Sequence, residues 1–229
     1  MPAEHRLAEP ALRELGMESS RAGRALLMAT PGAVLAGVGL THPHHLDAGS
    51  AGWWRDMHIL LAFVFPLLGV VIWMLMEPAS GLVRWLGRLA AFGYAVLYGA
   101  LDAVAGIGGG AMAAVQGGRT PLLDPLFRVG NDLGYIGAWC FVVGAALAAA
   151  TTIRHAGRGA VPGGFLVLAG GVVFLDSHIY WPAGVLAMCG IAIGFAQLGW
   201  VGSVRTPHGR GAHPALPRPL PPAAATGRS

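Results

Sequence analysis

Six apolar runs, each near the ~20 residues a helix needs to cross a bilayer, constrain this chain more than any motif in it. They cover 24–41, 57–76, 89–115, 133–153, 161–177 and 181–203. Apolar residues make up 55% of the 229, charged residues only 11%, and the mean hydropathy is +0.59. That composition belongs to the membrane class. The expected fold is all-α: a polytopic membrane bundle of six transmembrane helices. Pro66, near the middle of the second run, predicts a kink that neighbouring helices would cover. Few residues join the fifth and sixth runs, so a tight helical hairpin is expected, with Pro182 as first residue of its second helix.

Three regions follow. Residues 1–22 hold four Glu and three Arg and read as a polar cytoplasmic tail, in which Leu7, Leu12 and Leu15 suggest a short amphipathic helix. A cleaved leader is disfavoured by that long acidic lead-in and by the lack of a small-x-small site, so the first run is expected to be retained. Residues 23–203 form the transmembrane domain. Residues 204–229 are rich in Pro, Ala and Gly and are expected to be disordered.

Arg sets the orientation. With the N-terminus inside, twelve of the fifteen Arg fall on the inner side and only Arg55, Arg119 and Arg128 on the outer. The positive-inside rule then puts both termini in the cytoplasm. Trp53, Trp54, Tyr135, Trp139, Tyr180 and Trp181 gather near the outer interface, and Trp73, Trp85 and Trp200 near the inner one. The basic residues are all Arg, with no Lys, which reads as the bias of a GC-rich bacterial genome and points to the bacterial cytoplasmic (inner) membrane. Basic residues are not interleaved with aromatics, so nucleic acid is not an expected partner. The lipid bilayer is.

This topology sorts the nine His residues. His42, His44, His45, His58 and His178 come to the outer side, together with Asp47, Asp56, Asp124, Asp132 and Asp176. Thr41-His42-Pro43-His44-His45-Leu46-Asp47 is the densest group of metal ligands and proton carriers in the chain. Imidazole suits zinc, copper, nickel and haem iron. His44 and His45 follow a proline, which extends the local chain and sends their side chains apart, so a site needs His58 or His178 from another helix. The expected ligands are His44, His45, His58 and His178, for a transition metal or haem. The competing structural readings are solvated loop histidines, an interfacial His58 bonded to a neighbouring loop, and helix capping by Asp176 or Ser177.

Asp102 interrupts the third run. A carboxyl at bilayer depth costs a few kcal/mol and normally faces a partner or a wet cavity. Tyr94, Tyr98 and Asp102 are spaced i, i+4, i+8, on one helix face. One reading is a proton or cation path from Asp102 toward the His cluster, with Tyr94, Tyr98 and Asp132. The other is a protonated carboxyl bonded to a tyrosine hydroxyl or a carbonyl, holding helices together.

Gly108-Gly109-Gly110 lacks the Lys-Ser/Thr ending of a phosphate loop. Gly190 and Gly194 form a GxxxG, a contact face within the chain or toward a second copy or partner subunit. Cys140 and Cys189 lie in apolar runs without CxxC spacing and read as packing residues. No HExxH, Walker or Ser-His-Asp pattern supports an enzyme.

The segments His58-Ile59-Leu60-Leu61 through Phe65-Pro66-Leu67-Leu68-Gly69, Tyr98 to Gly106, and Ser177-His178 through Pro182-Ala183-Gly184 resemble a group of small multi-pass bacterial membrane proteins. The likeness covers most of 25–203, implies the six-helix architecture and, since that family has no assigned activity, carries no function. The best specific expectation is therefore metal or haem binding at the outer face. A proton- or cation-coupled transporter centred on Asp102 and a non-catalytic accessory subunit are the alternatives.

Overall fold

The computed structural model describes residues 4–203, with side-chain surroundings from residue 16 onward. The tail 204–229 and the side chains of Leu7, Leu12 and Leu15 lie outside the described residues. The described elements are helical: α1 (Glu4–Gly39), α2 (Ala51–Leu75), α3 (Gly81–Leu101), a π-helix (Asp102–Gly108), α4 (Gly109–Gln116), α5 (Asp124–Ala156), α6 (Val161–Ser177) and α7 (Ala183–Gly202), with 3₁₀ turns at Pro121–Leu123 and Arg158–Ala160. Six stretches are long and apolar enough to cross a membrane: Gly16–Gly39, Ala51–Leu75, Gly81–Gln116, Pro121–Ala156, Arg158–Ser177 and Ala183–Gly202. The chain is a multi-pass membrane protein.

Hydropathy placed several helix ends too far inward. α2 starts at Ala51 and α3 at Gly81, because Trp53, Arg55, Asp56, Arg84 and Arg88 can remain helical while their polar ends reach the interface. His58 therefore sits two turns inside α2, and Asp56 pairs with Arg55 at 2.7 Å, not with His58. α2 continues through Pro66. Pro182 occupies the position before α7, which begins at Ala183.

Outward-facing Leu26, Phe63, Phe92, Phe165 and Leu186 are each at least 60% exposed; a surface this apolar belongs in lipid. Inside, α3 packs along α5, and α7 along both α1 and α6. An aromatic core of Phe65, Tyr94, Tyr98, Phe141, Phe174 and Phe195 lies between them. Small residues bring backbones together, as membrane helix packing requires. A Cβ on Gly194 would lie 2.7 Å from the Gly163 carbonyl oxygen of α6, so this member of the GxxxG is used within the chain. One on Gly110 would lie 2.9 Å from the Arg55 amide nitrogen. Cys140 and Cys189 are unpaired thiols.

The π-helix marks where α3 changes phase. Its wider turn carries one extra residue, a feature common at functional sites, and its first residue is Asp102.

Candidate metal centre

Three histidines from three separate segments meet at one end of the bundle. His42 follows α1, His58 is in α2 and His178 follows α6, and one ring nitrogen from each lies within 4.8 Å of the others. Ring centroids are 5.3 Å apart for His42 and His58, 5.4 Å for His42 and His178, and 6.1 Å for His58 and His178, whose planes are parallel within 3°. His42 stands edge-on to both.

Each ring is held by its Nδ1. His58 Nδ1–H donates to the Trp54 carbonyl one turn earlier, at 2.7 Å. His42 Nδ1–H donates to the Pro43 carbonyl at 2.9 Å. A carbonyl can only accept, so on the neutral rings of His42 and His58 the proton is on Nδ1 and the lone pair on Nε2. His178 Nδ1 is 2.6 Å from the Tyr98 hydroxyl, which leaves its Nε2 open. Metal-binding histidines are oriented in this way, with the second nitrogen fixed by an outer partner.

The local chain explains why the rings converge. Thr41 donates to the Val38 carbonyl at 2.9 Å and Trp53 Nε1–H to the Thr41 carbonyl at 3.1 Å, fixing the loop segment that carries His42. Asp47 Oδ1 accepts from the amides of Ser50 at 2.8 Å and Gly49 at 2.9 Å, and these bonds, that from Ser50 foremost, lower its pKa. The Arg119 amide donates to the Leu46 carbonyl at 2.9 Å, tying this loop to the turn after α4. His58 fits because residue 106 is glycine: a Cβ there would fall 2.2 Å from the His58 ring. His178 takes a φ of 47°, a region uncommon for a residue with a Cβ and often found at functional sites.

Burial favours the neutral form of His42 and His178. His42 is pushed down to about 4, chiefly by desolvation, with its Pro43 bond opposing and His58 and His44 adding to the fall. His178 lies well below its ordinary value, again by burial first and then through His42 and His58. Neutral imidazole is the form that ligates metals.

Of the residues singled out in the sequence, His58 and His178 come together, and the ring that joins them from the loop is His42. His44 and His45 are exposed; His44 stacks on Tyr180 at 5.8 Å. Position after the proline decides this, since His42 is still tethered to the end of α1 while His44 and His45 lie beyond it. The signal available in the sequence was that His42 is the loop histidine nearest the end of an apolar run.

Asp102 is fully buried, with Oδ1 4.0 Å from His58 Nε2 and neither oxygen hydrogen-bonded among the described residues. The bond to a tyrosine hydroxyl is not made: Tyr98 serves His178, and the Tyr94 hydroxyl has no partner among the described residues. His42 Nε2 is likewise buried and unpartnered among them. His42 Nε2 and both Asp102 oxygens are thus left without a hydrogen bond among the described residues. Asp132 is exposed, at the rim of a cavity of about 440 Å³ that reaches His58, Tyr98 and His178.

Such a set of donors can hold a cation. Three nitrogens converging on one point cannot all bind a haem iron, which offers two axial positions, and they suit a single ion instead. Around a tetrahedral ion at about 2.0 Å, ligand atoms lie roughly 3.3 Å apart, so from separations of up to 4.8 Å the rings need close by about 1.5 Å at most.

Comparison of the chain with protein-family models, with curated proteins and with solved structures finds no match.

Proposed function

We propose that this protein binds one transition-metal ion at the outer end of its bundle, through Nε2 of His42, His58 and His178, with Asp102 supplying counter-charge beside His58. The convergence of one ring nitrogen from each of three histidines, two buried and the third half-buried, with each ring fixed through Nδ1, carries this reading. Zinc and copper are the ions that a nitrogen-only set of this kind favours. The bias of Arg to one side supports both termini in the cytoplasm of a bacterium and a site facing outward from its inner membrane.

The unpartnered Asp102 favours a second reading, passage of protons or cations through the same cluster, with Tyr94, Tyr98 and Asp132 along the way. Elemental analysis of the purified protein separates the two. One ion per chain is expected, lost in His42→Ala, His58→Ala and His178→Ala and kept in His44→Ala and His45→Ala. A metal-free protein that takes up neither zinc nor copper on titration sinks the metal reading and leaves the path through Asp102.

A further inference from the structure

A cavity lies against His58 and His178. We infer that it seats an exogenous oxygen-donor anion with a flat apolar body, bound directly to the ion; the inference rests on the metal reading above.

Coordination supplies the first reason. Three protein nitrogens leave the fourth position of a tetrahedral ion open, the mark of sites that take an exchangeable ligand. His58 and His178 both line the cavity, so the open side is reachable from it. Charge supplies the second. Three neutral rings contribute none, and the single carboxylate of Asp102 cancels half that of a dication, leaving one positive charge in a site of low dielectric. An anionic ligand neutralises it.

Shape and hydrogen bonding define the rest of the ligand. At about 440 Å³ the space far exceeds the ~30 Å³ of a water and falls in the range of small-molecule sites. Trp54, Phe127, Phe174 and Tyr180 form aromatic walls, which suit a planar apolar body. Trp54 is 7% exposed, and its indole Nε1–H is buried without an acceptor among the described residues. A second oxygen on the ligand would accept from it. At the mouth, Asp132 and Asp176 are exposed, and Arg119 lies 4.5 Å over the Phe127 ring with its Nη2 3.1 Å from Asp124. These charges are solvated and screened, so they act weakly on a ligand seated deeper.

Cobalt(II) in place of the native ion makes the test visible, since its absorption bands report coordination. The Co²⁺-loaded protein is titrated with benzoate and with acetate. Benzoate is expected to shift the spectrum and to bind about tenfold more tightly than acetate. Trp54→Phe deletes the indole N–H and keeps a ring against His58; its Co²⁺-loaded form is expected to bind benzoate about tenfold more weakly than the unaltered protein, with the loss in acetate affinity smaller. If Co²⁺ binds but neither carboxylate moves its bands, or both bind equally, the ligand site is wrong and the metal site stands. If Co²⁺, zinc and copper all fail to bind, the metal reading itself falls; if only Co²⁺ fails, the two carboxylates are titrated calorimetrically into the zinc-loaded protein, with the same two outcomes. Should Trp54→Phe fail to fold, the benzoate and acetate comparison on the unaltered protein decides alone.

Discussion

The Tyr98 hydroxyl lies 2.6 Å from His178 Nδ1, joining α3 to the loop between α6 and α7 across eighty residues of sequence. This bond occupies Nδ1 of His178 and leaves its Nε2 for the ion proposed between the three rings. Tyr98→Phe keeps the ring against Phe65 and Phe174 and deletes only the hydroxyl. Metal affinity is expected to fall about 10- to 100-fold, as for other outer-shell partners of ligating histidines, with a loss in stability of about 1 kcal/mol. Competition with a chelator of known affinity measures the first, and an unchanged affinity would remove Tyr98 from the site.

Gly106 is the seat of His58. Its Cβ would collide with the imidazole at 2.2 Å, so Gly106→Ala must displace either the ring or the π-helix. A destabilisation of about 1–3 kcal/mol is expected, with metal binding lost. Gly99→Ala is the control, since nothing lies within 4 Å of its would-be Cβ; its thermal midpoint in detergent should stay level or rise slightly. Equal behaviour of the two variants would contradict the close packing described.

Asp102 is costly and unrewarded without a cation. Asp102→Asn removes an ionisable group whose burial no hydrogen bond among the described residues offsets. The metal-free variant should therefore melt at the same temperature or higher, while its affinity for the ion drops at least about tenfold. A lower melting temperature with full affinity would assign Asp102 to helix packing.

Low pH should unfold the metal-free protein early. His42 titrates near about 4 when folded and near ~6.5 when unfolded, and His178 is shifted the same way. Below ~6.5 the unfolded chain binds more protons, so stability is complete above that value and is lost progressively as pH falls toward about 4. For His42 alone the loss is on the order of 3 kcal/mol. Melting curves at about pH 7.5 and about pH 5 should differ, and His42→Ala should shrink the difference. Coincident curves would mean that these rings are not buried as neutral bases.

The architecture was largely written in the hydropathy. A bilayer demands ~20 apolar residues per crossing, so six runs stand out without knowledge of packing, and loops fall to one side or the other by count. The helix ends at Ala51 and Gly81 were not legible, because a helix continues through interfacial Arg and Trp where an apolar average does not. In the site, His58, His178 and Asp102 could be sorted to one region, but choosing His42 over His44 and His45 required the path of the loop. That path is set by the bonds that Asp47 accepts from the amides of Gly49 and Ser50 and by the one Trp53 donates to Thr41, which composition does not reveal. Nor does spacing alone predict that Tyr98 turns to His178 instead of to Asp102 on its own helix face.

A π-turn holds one residue more than the α-turn it replaces, so the stretch Asp102–Gly108 acts as a phase shifter in the third span. Removing any one residue from it would restore the ordinary pitch and rotate everything beyond by about 100°. Gly109 and Gly110, which admit the Phe127 ring and the Arg55 backbone, would swing off α2 and α5, and the loop pinned by Arg119 to Leu46 would be dragged with them. The length of this segment is as tightly bound as Gly106 itself, and a single-codon deletion there is not a small change.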